Sequence, residues 1–246
     1  MPQPDEHGRE DDSRDYSRDY SRDENSRNDD GRDVTVRGGS EHGGSEHDDP
    51  PEALRIFLAG ATGVIGVRLL PLLLRAGHAV AAMTRSAAKA DSLAAMGAQP
   101  VVCDVFDAEA LREAVVAFRP DAVLHQLTDL PDKAEQVPEF AARNARIRTE
   151  GTRNLLAAAQ EAGARHFLAQ SIDWIPAGGG AVLEEHEQRV LKVGGVVVRY
   201  GQFYGPDTFY EHEVPSRPRI HVDAAARETV PLITAASGVF VLAEAQ

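Results

Sequence analysis

Cysteine is almost missing from this 246-residue chain: Cys103 stands alone, so no internal disulfide can brace the fold. Missing too is any charge-free apolar run of the roughly 18 residues needed to span a bilayer. The acidic N-terminus has no apolar core of a signal peptide. Together these absences suggest a soluble, cytoplasmic protein without a membrane partner. Basic charge is also short. The formal net charge is −13, and the first 52 residues hold 17 acidic side chains against 7 basic, leaving 22 against 19 in the remainder. A remainder so close to neutral has no basic footprint for nucleic acid. Aliphatic residues hardly occur in the acidic stretch. It repeats Arg14-Asp15-Tyr16-Ser17 as Arg18-Asp19-Tyr20-Ser21, and Gly38-Gly39-Ser40-Glu41-His42 as Gly43-Gly44-Ser45-Glu46-His47. Such a segment cannot bury enough surface to offset its ordering entropy, so residues 1–52 are expected to form a disordered tail and residues 53–246 the folded domain. His42 and His47 read as solvated, and no metal site is assigned.

From Leu54 onward, short apolar runs alternate with helix-spaced segments. The strands expected are Arg55–Ala59, Ala79–Met83, Pro100–Cys103, Ala122–Leu127, His166–Gln170, Val196–Tyr200 and Val239–Leu242. Helices are expected between them, including Ala108–Phe118, Phe140–Ala162 and Leu183–Leu191, with Gly77 and Gly163 at helix ends and a kink at Pro71. This alternation predicts a parallel sheet covered by helices on both faces, with a ligand crevice at the carboxyl ends of the strands.

The first strand runs into Gly60-Ala61-Thr62-Gly63-Val64-Ile65-Gly66, and a helical segment follows. Glycines spaced this way let the backbone turn tightly and approach a pyrophosphate, and the unpaired N–H groups of the next helix favour an anion. The expected ligand is a dinucleotide held by Gly60, Thr62, Gly63, Val64, Ile65 and Gly66. Past the second strand, Thr84-Arg85-Ser86 stands where an acidic residue would hold a ribose 2′-hydroxyl. Arg85 and Ser86 suit a 2′-phosphate, which favours NADP(H) over NAD(H). Asp104, with Val105 beside it, follows the third strand and could accept from the adenine amino group, or cap a helix together with Asp107. His125 and Gln126 end the fourth strand and are expected to line the cofactor trough, with core packing as the alternative for His125. Ser171 follows the fifth strand at the same mouth.

The loop resembles that of the short-chain dehydrogenase/reductase superfamily, in its extended and atypical branches of NAD(P)-dependent epimerase/dehydratase relatives. The resemblance covers about Leu54 to Leu242. Asp121 to His125 is similar to the family's fourth strand, Gly151-Thr152-Arg153-Asn154-Leu155-Leu156 to its long helix, and Ala169-Gln170-Ser171 to the strand carrying the active-site Ser. Arg199-Tyr200, Tyr204-Gly205-Pro206 and His221-Val222-Asp223 match later motifs in the same order. The resemblance implies a Rossmann-type, doubly wound parallel α/β sheet of about seven strands. It further implies oxidoreductase or epimerase chemistry on a carbonyl or sugar-like small molecule, and a homodimer through the helices at 140–162 and 183–191.

The family's Tyr-x-x-x-Lys pair, in which the ammonium lowers the phenol pKa for proton transfer, occurs nowhere in the chain. Counting back from Glu187 and Val190 places Gly179 and Leu183 at those two positions. His186 is expected to be solvated among its glutamates. The helix Asn of the family is Arg148 here, with Asn144 one turn earlier. The stretches from Ser171 to Glu187 and from Pro206 to His221 are shorter than in relatives, and the helices that usually follow the seventh strand are missing, so the substrate lobe is expected to be much reduced. Two readings follow: an NADP(H)-dependent enzyme in which Ser171 orients the substrate, or a non-catalytic dinucleotide-binding sensor or interaction module. An eroded relative that folds without a role is the third.

Overall fold

The computed structural model describes residues 52–131, 133–174 and 180–245. The tail, its repeats and Gly179 lie outside the described residues. The strands are β1 Arg55–Ala59, β2 Ala79–Thr84, β3 Gln99–Val102, β4 Ala122–His125, β5 His166–Ile172, β6 Val196–Tyr200, β7 Gln202–Tyr204, β8 Arg219–His221 and β9 Gly238–Leu242. The α-helices are α1 Gly66–Arg75, α2 Ala90–Ala95, α3 Ala108–Phe118, α4 Val137–Arg146, α5 Thr152–Glu161, α6 Gly180–Lys192 and α7 Val222–Thr229.

Seven strands form one sheet in the order β3-β2-β1-β4-β5-β6-β9, and every pair is parallel. The expected doubly wound sheet is therefore present. Its central strands read as unbroken apolar runs because both faces are covered. Alternate residues divide between the faces. Ile56, Leu58, Leu124, Leu168 and Val198 pack with α1 and α7, while Phe57, Ala59, Val123, Ala169 and Val197 pack with α3, α5 and α6. Strand order reverses between β1 and β4, which opens the crevice at their carboxyl ends.

Helix α1 continues through Pro71, and Gly77 leaves it at φ 84°. The long helix expected over 140–162 begins earlier, at Val137, and is interrupted by a π-turn over Ile147–Gly151. On either side of the stretch from Pro206 to Pro218, β7 and β8 make a two-stranded parallel ladder, and α7 follows β8 directly. Among the described residues no helix is long and apolar enough to cross a membrane.

Candidate functional site

The glycine loop sits at the reversal point, between β1 and α1. Gly60 turns the chain at φ 92°. A Cβ on Gly60 would lie 2.7 Å from the Gln126 carbonyl oxygen, and one on Gly66 would lie 2.0 Å from the Gly60 carbonyl oxygen. The fold itself therefore requires both glycines. Gly63 is different: it is exposed, and a Cβ there would meet only the Gly60 carbonyl oxygen at 3.4 Å, an ordinary contact. Nothing within the protein requires glycine at this position, whereas a pyrophosphate laid against the loop would. The N–H groups of Thr62, Val64, Ile65 and Gly66 find no acceptor among the described residues. Open donors, a bare Cα and the N-terminus of α1 together fit a dinucleotide phosphate. Arg68, one turn into α1, fastens the loop to the small lobe: it donates to the Val64 carbonyl at 2.8 Å and the Pro206 carbonyl at 2.5 Å, and pairs with Asp223 at 2.9 Å.

At the end of β2, Thr84 Oγ1 accepts from the Ser86 N–H at 3.2 Å and lies 3.4 Å from Thr62 Oγ1. The Arg85 side chain is half exposed and reaches to 4.0 Å from Asp129. Buried Asp129 is held bidentately by Arg143, at 2.9 and 3.0 Å. Asn144 accepts from the Asp129 N–H at 3.2 Å, so its amide fastens this loop. Asp104 is exposed and accepts from the Phe106 N–H at 2.9 Å, while Asp107 caps α3 through the Ala110 N–H. The Val105 side chain is buried in the core, and its carbonyl accepts from Asn154 at 2.9 Å.

A chain of buried polar groups underlies the crevice. His186 Nε2–H donates to the Gln170 carbonyl at 2.9 Å, so its Nδ1 accepts from the Thr152 hydroxyl at 2.8 Å. Thr152 Oγ1 in turn accepts from His125 Nε2–H at 3.0 Å, and His125 Nδ1 accepts from the Leu127 N–H at 3.3 Å. Both imidazoles are buried and stack edge to face with centroids 5.5 Å apart. Burial, helped by the positive charge of Arg148, lowers the His186 pKa to about 4. His125 is driven far below its ordinary value by burial, then by His186 and Arg148. The expectation of a solvated His186 is corrected: it lies on the inner face of α6, because His186 and Leu183 share one stripe of that helix. Gln126, next to His125, is buried with neither atom of its side-chain amide hydrogen-bonded among the described residues.

Ser171 is fully buried and donates to Glu187 Oε1 at 2.5 Å. Arg199 grips the same carboxylate with contacts of 2.9 and 2.6 Å. Burial would raise the Glu187 pKa, but the bonds from Arg199 and Ser171 outweigh it and hold the carboxyl below its ordinary range. The Tyr200 hydroxyl is 2.6 Å from Thr229 Oγ1, and burial pushes its pKa up to about 12. Tyr204 donates to Glu244 at 2.5 Å and titrates higher than a free phenol because of that bond. Leu183 stands at the expected Lys position and is buried on α6. Sequence reasoning placed Glu187 in the family motif and His125 in the cofactor trough, but did not foresee Arg143, Asp129, Thr152 or an inward-facing His186 as crevice groups. The spacing of Arg148 and Thr152 was the one available signal, and the π-turn alters it.

Residues 60–179 match the family model described as NAD(P)H-binding. The chain is 40% identical over 185 residues to a 3-diazoavenalumate denitrifying reductase from a Streptomyces species, covering 65% of this chain and 60% of that protein. It is 28% identical over 139 residues to a 3-beta-hydroxysteroid dehydrogenase from Mycolicibacterium neoaurum, covering 54% and 36%. The chain thus spans less than two thirds of the length of these relatives. In fold it is similar to the Thermus thermophilus UDP-glucose 4-epimerase in complex with NAD, with a TM-score of 0.64, 19% identity and 78% of each chain covered. A short-chain dehydrogenase from Burkholderia cenocepacia J2315 in complex with NADP also has a TM-score of 0.64 at 19% identity, covering 78% of this chain and 89% of that one.

Proposed function

We propose, for a chain that carries the NAD(P)H-binding domain of the epimerase-like short-chain dehydrogenase/reductases, that it is a reductase whose reaction needs no proton from the protein. The observation that carries this reading is a contrast within one crevice. The glycine loop has the open donors and bare Cα that a dinucleotide requires. The tyrosines nearby are tied to Thr229 and Glu244 with raised pKa values, and no Tyr-x-x-x-Lys pair backs them. A carbonyl reduction without an acid would leave an alkoxide unprotonated. The 40%-identical relative, named for reductive denitrification of a diazo compound, suggests an acceptor that avoids this problem. A reduced nicotinamide held in this crevice would supply a hydride; delivered to the ring carbon of an aryl diazonium, that hydride would form an aromatic C–H bond as dinitrogen leaves, so electrons and atoms would balance with no proton consumed.

In this reading Gly60, Thr62, Gly63, Val64, Ile65 and Gly66 hold the pyrophosphate. Arg85 and Ser86 take the 2′-phosphate of NADP(H), and Arg143 beside Asp129 adds a second guanidinium nearby. Ser171 has its hydroxyl committed to Glu187 and serves to fix that carboxylate. The test follows reduced-nicotinamide consumption and arene release with benzenediazonium and with a simple ketone. Protein-dependent, equimolar NADPH loss and benzene formation is expected, with no turnover of the ketone. Arg85→Ala is expected to weaken NADPH binding about tenfold and leave NADH binding nearly unchanged. Nucleotide binding without turnover of the diazonium would instead favour a non-catalytic sensor.

A further inference from the structure

We infer that Arg148 forms an anion site in the crevice that takes the carboxylate of an organic acid, and so selects the substrate of the reductase proposed above, on which this assignment rests. The placement comes from the helix that carries it. Arg148 lies in the π-turn about one turn before Thr152, and Thr152 touches His125, the last residue of β4. The helix descends from the carboxyl edge of the sheet, so Arg148 stands on the crevice side of that contact, between the long helix and α6. π-Turns of this kind recur at functional sites because they re-aim side chains by one residue.

The electrostatics leave this guanidinium without an internal counter-charge. Its neighbours on the helix are paired, Arg143 with Asp129 and Arg146 with Glu150. Among the described residues, Arg148 has no carboxylate within 4.0 Å and makes no side-chain hydrogen bond, although it is only partly exposed. The carboxylate whose field reaches it is Glu187, but both oxygens of Glu187 are held by Arg199 and one also by Ser171. His125 and His186, which also feel its charge, are neutral. Glu187 is taken up by Arg199, on which Asp173 also acts, so Arg148 itself is left without a carboxylate partner among the described residues in a place of restricted solvent access, and burial lowers its pKa to about 10. A partly desolvated cation of this kind is costly alone and strongly favourable with an anion. The planar fork of arginine matches a carboxylate with two parallel hydrogen bonds. The cofactor pyrophosphate does not meet this need, because its donors lie in the loop after β1, on the other side of β4.

The test is equilibrium binding in the presence of saturating NADP+, with cinnamate and its uncharged amide as probes, read by Trp174 fluorescence and by thermal shift. The unaltered protein is expected to bind cinnamate at least about tenfold tighter than the amide. Arg148→Gln should bind the two equally, and Arg148→Lys should keep part of the preference. Both variants should retain NADP+ affinity, and Arg148→Gln should melt no lower than the parent, since no internal ion pair is lost. Equal binding of acid and amide by the unaltered protein would overturn the assignment, as would an intact preference in Arg148→Gln or a parallel loss of NADP+ affinity. If the Gln variant does not fold, Arg148→Met takes its place and should likewise bind acid and amide equally. Because binding is read without turnover, a cinnamate preference in a protein that reduces no diazonium supports the anion site while rejecting the reductase reading.

Discussion

Gly60, Gly63 and Gly66 lie within seven residues of one another, yet only the first and last are held to glycine by their own protein. A Cβ at position 66 would overlap the Gly60 carbonyl at 2.0 Å, so Gly66→Ala must open the loop or shift the start of α1. We expect it to cost about 2 kcal/mol or more by urea denaturation. Gly63→Ala meets no such obstacle and should unfold within about 0.5 kcal/mol of the parent. Its methyl group instead occupies the face offered to the pyrophosphate, and a nucleotide titration should show binding weakened about tenfold or more. If Gly63→Ala bound nucleotide as well as the parent, the loop would not be the phosphate cradle. All three glycines were legible in the chain, because their spacing between an apolar run and a helical segment is a local signal. Which of them the fold itself requires was not legible, since the obstructing atoms at Gly60 belong to Gln126 and Leu127, which follow the neighbouring strand β4.

Three elements meet at Glu187: α6 carries it, β5 brings Ser171, and β6 brings Arg199. The carboxylate joins the helix to two adjacent strands, and this joint shapes one wall of the crevice. Glu187→Gln removes the charge that balances half-exposed Arg199 and replaces one acceptor oxygen by a donor. A loss of about 1–3 kcal/mol is expected by urea denaturation, with nucleotide affinity unchanged because the glycine loop lies after β1. A loss of nucleotide affinity in step with stability would contradict this division of labour. The limits of β1, β6 and α3 could be read from apolar spacing alone, and the structure has them at the expected residues. The π-turn could not, because nothing in the local composition of 147–151 distinguishes five residues per hydrogen-bonded turn from four. Its extra residue changes which side chains share a face, so Arg148 and Thr152 were not recognised as crevice groups.

The buried chain from His125 through Thr152 to His186 and the Gln170 carbonyl links β4, the long helix, α6 and β5, so its protonation state concerns the stability of the whole domain. In the folded protein both histidines titrate below the ordinary value of 6.5, His186 at about 4. On acidification the unfolded chain takes up protons first. The stabilisation is therefore fully present above the unfolded pKa of 6.5 and is lost as pH falls toward the folded value of about 4. For His186 alone the loss at about pH 5 is on the order of 2 kcal/mol. Melting temperatures measured from about pH 8 to 5 should fall on the acid side, and His186→Gln should flatten that slope. A flat profile in the unaltered protein would mean the pair is already protonated or solvated.

What the linear chain decided was the order of strands and helices, the parallel sheet that follows from their alternation, and the glycine loop at its reversal point. These depend on periodicity and on glycine geometry, both of which act over a few neighbouring residues. The chain also showed that no Tyr-x-x-x-Lys pair is present, since an absent motif needs no fold to be seen. Only the tertiary structure decided the fate of the polar groups. Ser171 lies enclosed on Glu187, His186 points inward, and Arg148 is left without a counter-ion while Arg143 and Arg146 are paired. Charge and hydrogen-bond partners come from residues far apart in sequence, and burial multiplies the consequence of each pairing, so these outcomes follow from packing rather than from composition.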